Sequence, residues 1–172
     1  ESLRLAINNI PHSNSYSLFV FCTDHGMANG DLVLWNQFIS PDEFAEIFYP
    51  TLNYRVRIFE FEQCFSGAFV EPLSSKNTII VTAAAADELS WAMPPDYDYN
   101  TFNFFFNAAI KEELPQGYIY GVPPTAADVD RDGRVSIAEA FNYVVNLVNF
   151  NIQSTPWYND DGTGVPKTST VR

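Results

Sequence analysis

The feature that most constrains this chain is a series of three apolar, strand-length runs separated by segments with helical spacing. The first, "YSLFVFCT" (16–23), is rich in aromatic and β-branched residues and carries no charge. It reads as a strand buried on both faces, as in a parallel sheet under helices. A second run covers 54–61, and a third, "TIIVTAA", covers 78–84. Between and around them lie helices. A short one is expected over 2–10, ended by Pro11. A second covers "DEFAEIFYPTL", announced by Ser40, Pro41 and Glu43 as N-cap, first-turn proline and capping-box partner, with Phe44, Ile47 and Phe48 on one face. "TFNFFFNAAIKEEL" forms a third, stopped by Pro115. The last covers 136–149, with Ile137, Ala140, Phe141, Val144, Val145 and Val148 on one stripe. Strands alternating with helices predict an α/β sheet with right-handed crossovers, whose chemistry gathers at the carboxyl ends of the strands.

The 172 residues suit a domain with a substantial core, expected over 1–150, with an irregular tail over 151–172. A net charge of -12 argues against a nucleic-acid partner, since it cannot neutralise a row of phosphates. Two cysteines make no disulfide framework, and Cys22 reads as a small buried thiol. No window is long and apolar enough to span a membrane. The start "ESLRLAINN" has neither an initiator Met nor a signal-peptide pattern, which suggests a processed form or an excised piece.

The first run ends in Thr23-Asp24-His25-Gly26 and the second in Glu62-Gln63-Cys64-Phe65-Ser66-Gly67. Neighbouring parallel strands would bring His25 and Cys64 to the same sheet edge, the minimum for nucleophilic catalysis by cysteine. Gly26 and the residues around Cys64 would offer N–H groups to a developing oxyanion. Glu62, two residues before the nucleophile, would share its face.

These segments resemble the legumain-type cysteine peptidases of the caspase-like group. "FCTDHGM" is similar to their Thr-Asp-His-Gly segment, "EQCFSG" to their Glu-x-Cys-x-Ser-Gly segment, and "TIIVTAAAADELSWA" to the segment that follows their catalytic cysteine. The resemblance covers about residues 16–92. It implies a caspase-like three-layer α/β/α sandwich with a mostly parallel sheet, and a cysteine endopeptidase acting on peptides or proteins without an organic cofactor. Cys64 would be the nucleophile, His25 the acid–base, and the N–H groups of Gly26 and Cys64 the oxyanion hole. Glu62 matches the acidic residue of the primary specificity pocket, Ser90 a pocket-wall serine, and Asp24 the aspartate before the histidine. Trp91 either lines the substrate groove or caps the core. The family's first strand and its loop do not appear in the chain, so an upstream segment or second chain is expected to cover the open sheet edge. Two alternatives use the same fold: a calcium-stabilised interaction module without activity, and a transpeptidase that transfers the acyl group to an amine.

A separate motif, "DVDRDGRVSIAE", fits D-x-[DN]-x-[DN]-G-x5-E at every specified position. Asp128, Asp130 and Asp132 would ligate through side chains and Arg134 through its carbonyl. Ser136 would act directly or through water, and Glu139 would close the shell with two oxygens. Such a loop favours Ca2+, expected here in a structural role. A single loop of ordinary affinity fills more readily outside a cell, which points to a secreted, periplasmic or surface location.

Overall fold

Val56–Phe61 (β4) is buried at every position, and the main sheet is assembled on both of its edges. The computed structural model describes residues 1–92, 100–114, 124–148 and 154–160. These fall into two compact units, Glu1–Leu89 together with the segment from Thr155, and Ser90–Ser154.

In the first unit, Ser17–Cys22 (β1) pairs in parallel with β4, Ser17 opposite Val56 and Cys22 opposite Phe61. Thr78–Thr82 (β5) pairs in parallel with the other edge of β4. Trp157–Asn159 (β6) adds an antiparallel strand to β5, in a stretch where the sequence reading expects irregular chain. The order is β1-β4-β5-β6, so the expected mostly parallel α/β sheet is present. A small antiparallel hairpin, Leu32–Leu34 (β2) with Gln37–Ile39 (β3), separates β1 from the next helix.

That helix, Pro41–Phe48 (α2), starts on the predicted capping box. Ser40 Oγ accepts from Glu43 N at 3.2 Å while Glu43 Oε2 accepts from Ser40 N at 3.2 Å. With Ser2–Asn9 (α1) and the short Val70–Leu73 (α3), it supplies Ile7, Phe44, Ile47, Phe48, Val70 and Leu73 to one core cluster that includes Phe59 and Phe61 of β4. Rings mesh at 4.7 Å between Phe44 and Phe48 and at 4.6 Å between Phe61 and Phe69. Such tilted and stacked ring contacts add to the area they bury.

The first apolar run departs from expectation. Leu18, Val20 and Cys22 pack against the core cluster, but Phe19 and Phe21 are 44% and 45% exposed. The reason is position: among the described residues β1 has a neighbour on one edge only, whereas β4 and β5 have one on each. At the opposite end of β4, Arg57 is 2% exposed. Its guanidinium donates to Thr78 Oγ1 at 2.7 Å, Thr51 Oγ1 at 3.4 Å, the Phe48 carbonyl at 3.5 Å and Ser75 Oγ. Burial lowers its pKa to about 10.

In the second unit, Asn100 caps Thr101–Lys111 (α4) by accepting from Phe102 N at 3.0 Å and Asn103 N at 3.3 Å. Phe102 lies 6.1 Å from Phe141 of Ile137–Val148 (α5). Of the stretch "MPPDYDYN" (93–100), which reads as a loop, residues 93–99 lie outside the described residues, as do the Pro115 stop and the tail beyond 160. No described helix is long and apolar enough to cross a membrane.

Candidate active site

Parallel pairing of β1 with β4 delivers their carboxyl ends side by side, and the backbone carries that pairing past the strands. Glu62 N donates to the Cys22 carbonyl at 3.1 Å. Thr23 Oγ1 donates to Glu62 Oε1, so the pocket-facing carboxylate predicted from sequence is tied to the chain that leads to His25. Glu62 is half-buried, and desolvation raises its pKa above the ordinary glutamate value.

His25 is exposed, and its backbone N–H donates to Asp24 Oδ1 at 2.7 Å. Asp24 holds φ at 152°, a backbone region that L residues seldom occupy. The segment then becomes an edge of the small hairpin. The His25 carbonyl accepts from Val33 N at 2.9 Å and Met27 N donates to the Asp31 carbonyl at 2.8 Å. Gly26, between them, faces Leu32 as a bridge whose own N–H and C=O turn away from β2. A Cβ built on Gly26 would sit 1.8 Å from the Cys64 carbonyl oxygen and 3.1 Å from Gln63 Cγ. Only glycine permits that approach, and it brings the histidine-bearing and cysteine-bearing loops into backbone contact.

The chain turns sharply after Cys64. Phe65 is left-handed at φ 59°, an uncommon state for an aromatic residue, and its N–H donates to the Glu88 carbonyl at 2.7 Å. Ser66, fully buried, accepts from Ala84 N at 3.2 Å, and Gly67 N donates to the Ala84 carbonyl at 2.9 Å. A Cβ on Gly67 would fall 2.6 Å from Ala86 N, which gives the Ser-Gly pair its physical reason. The pair starts a short helical stretch, Ser66–Leu73, that the sequence analysis does not anticipate.

Cys64 is partly exposed. The other thiol, Cys22, is pushed up to about 12 by burial. Gln63, between Glu62 and Cys64, is 2% exposed, and neither Nε2 nor Oε1 meets a hydrogen-bond partner among the described residues. An unpaired buried donor or acceptor costs about 1–3 kcal/mol. Gln63 receives no role from the sequence alone.

Ser90 and Trp91 belong to the second unit. Ser90 Oγ accepts from Asn100 Nδ2, and the Trp91 carbonyl accepts from Thr101 N at 2.9 Å, so both support the start of α4. The Trp91 side chain is partly exposed.

The acidic loop converges as its spacing requires. One carboxylate oxygen each from Asp128, Asp130 and Glu139 lie within 4.8 Å of one another. Gly133, at φ 83°, makes the sharp turn, and its N–H donates to Asp128 Oδ2 at 3.1 Å. Asp132 N donates to Asp128 and Asp130, while Ser136 donates through N and Oγ to Glu139 Oε2. The Asp132 carboxylate lies outside this group of three.

The model of the Peptidase C13 family matches residues 6–117. No curated protein matches the chain.

Proposed function

The chain belongs to the peptidase C13 family, the legumain-related cysteine peptidases of caspase-like fold, and on that premise we propose that it cleaves peptide bonds with a His25–Cys64 dyad. The observation that carries this reading is the seam at Gly26, where the loop bearing His25 rests on the carbonyl of Cys64. The Cys64 thiolate attacks the scissile carbonyl carbon, forming a C–S bond and an oxyanion that the N–H groups of Gly26 and Cys64 receive. Collapse breaks the C–N bond as His25 gives its proton to the leaving amine. Water then attacks the thioester with His25 as base, which releases the acid and restores the thiol. Glu62, braced by Thr23, supplies the polar wall of the specificity pocket and suits an amide NH2 or a cationic side chain. Asp24 shapes the turn that presents His25. Transfer to an amine would use the same acyl-enzyme.

Peptidyl acyloxymethyl ketones bearing Asn, Asp, Arg or Lys, followed by peptide mapping, test the reading. Modification of Cys64 and loss of turnover in Cys64→Ala and His25→Ala support it; a fully active His25→Ala variant overturns it.

We further propose that the Asp128–Glu139 loop binds Ca2+ in a structural role. The convergence of Asp128, Asp130 and Glu139 favours this, because hard oxygen donors around a turning backbone match that ion. Such a site fits a secreted, periplasmic or surface protein. The half-exposed Phe19 and Phe21 favour a covering segment or chain along β1.

A further inference from the structure

Gln63 is the one residue at the seam whose chemistry is unspent. It is 2% exposed, and its amide meets no partner among the described residues. An apolar side chain of the same shape would fill that space without leaving a donor and an acceptor unpaired. The amide is therefore carried at the expense of stability, next to the proposed nucleophile. Its Cγ lies 3.1 Å from where a Gly26 Cβ would be, so the amide, one bond further out, is within a side-chain rotation of the Gly26 peptide. The hairpin ladder uses the His25 carbonyl and the Met27 N–H, which leaves the Gly26 N–H and C=O turned away from β2.

We propose that Gln63 is a positioning residue: as the oxyanion forms, its Nε2 donates to the Gly26 carbonyl, holding the Gly26 N–H on the oxyanion and His25 on the leaving nitrogen. The proposal rests on the peptidase reading above. It gives the buried amide, in the reacting state, a partner that the described residues do not supply at rest. Reaction then gains a hydrogen bond that ground-state binding does not, and a gain of that kind raises kcat more than it lowers KM.

Gln63→Met and Gln63→Leu in the full-length protein test it, with wild type and Cys64→Ala as references. The substrates are coumarin-linked peptides with Asn, Asp, Arg or Lys before the scissile bond, and the matching peptide aldehyde serves as oxyanion probe. The expected variant melts at or above wild type, keeps KM within about twofold and loses about tenfold to a hundredfold in kcat, the scale of a misplaced catalytic group. Aldehyde affinity falls in proportion, while alkylation of Cys64 by iodoacetamide keeps its rate. A Gln63→Met enzyme with wild-type kcat and aldehyde affinity overturns the proposal and leaves the peptidase reading intact. Failure of both variants to fold also overturns it, because the amide would then be stabilising the resting state. A wild-type protein with no turnover and no labelling of Cys64 overturns the peptidase reading and the role of Gln63 with it.

Discussion

The backbone of Gly26 lies directly against the carbonyl of Cys64, and a Cβ at Gly26 would be 1.8 Å from that oxygen. Gly26→Ala must therefore part the two loops. Overpacking of this kind costs about 1–3 kcal/mol, which at about 2–4 °C per kcal/mol lowers the melting temperature by several degrees. Turnover falls further, by about a hundredfold, since a displacement near 1 Å suffices for that loss. Melting and single-turnover measurements on the same preparation separate the two effects. A Gly26→Ala enzyme of wild-type rate contradicts the seam.

The two thiols differ in reactivity. Burial pushes Cys22 up to about 12, so at pH 7.5 it stays protonated. Iodoacetamide labels Cys64 in the folded protein and reaches Cys22 only after denaturant is added. Peptide mapping of both states checks this.

The same shift makes alkaline stability depend on Cys22. Its folded pKa of about 12 exceeds the ordinary thiol value of 9.0, so its contribution is complete below pH 9 and is lost as pH rises towards 12. Tyr158, raised to about 12 by burial and the nearby Asp160 charge, acts in the same direction above pH 10. Arg57, lowered to about 10, opposes both above that pH, because its buried charge is relieved. Between pH 9 and 10 Cys22 is the group of the three that moves, so urea melts of Cys22→Ala should lack the decline that wild type shows there.

Glu62 should set a pH dependence of recognition. Burial raises its pKa, so on acidification it loses its charge before an ordinary glutamate does. Labelling of Cys64 by Lys- or Arg-bearing ketones should fall from pH 7 to pH 5 more steeply than labelling by the Asn-bearing ketone. Glu62→Gln, which still accepts from Thr23, should remove that difference and weaken labelling by the cationic probes about tenfold, the worth of one charged contact.

Calcium should stabilise the protein. At a hundredfold excess over its Kd an ion bound only by the folded state adds about 2.7 kcal/mol, or roughly 5–10 °C in melting temperature for a chain of this size. Asp128→Ala should abolish the shift with Ca2+ while retaining the melting temperature measured in chelator to within a few degrees. Identical melts of wild type in Ca2+ and in chelator exclude the site.

The parts legible in the sequence were those whose signal is local. β4 and β5 are buried on both faces, β5 with Ile79, Ile80 and Val81 in unbroken sequence and β4 with Val56, Ile58, Phe59 and Phe61 around two charged residues, and Ser40 with Glu43 marks the start of α2. The exposure of Phe19 and Phe21 was not legible, because an edge strand differs from a central one in its neighbours and not in its composition. β6 hid for the opposite reason: Trp157–Asn159 is too short for a period and stands among turn residues. Of the site, the order Asp-His-Gly and Glu-Gln-Cys-Phe-Ser-Gly placed both loops. That Gln63 is buried without a partner among the described residues depends on what surrounds it, and a sequence does not contain that.

Arg57 gives β4 a fixed origin. A slip of one residue would carry its guanidinium from the hydroxyl cage of Thr51, Ser75 and Thr78, on the face it shares with Phe59 and Phe61, to the opposite face with Ile58 and Glu60, turning every side chain of the strand over with it. The strand is thus indexed from its amino end, like a rule butted against a stop. Cys64 comes to rest at Gly26 because the measurement starts seven residues upstream, at a side chain that takes no part in the chemistry.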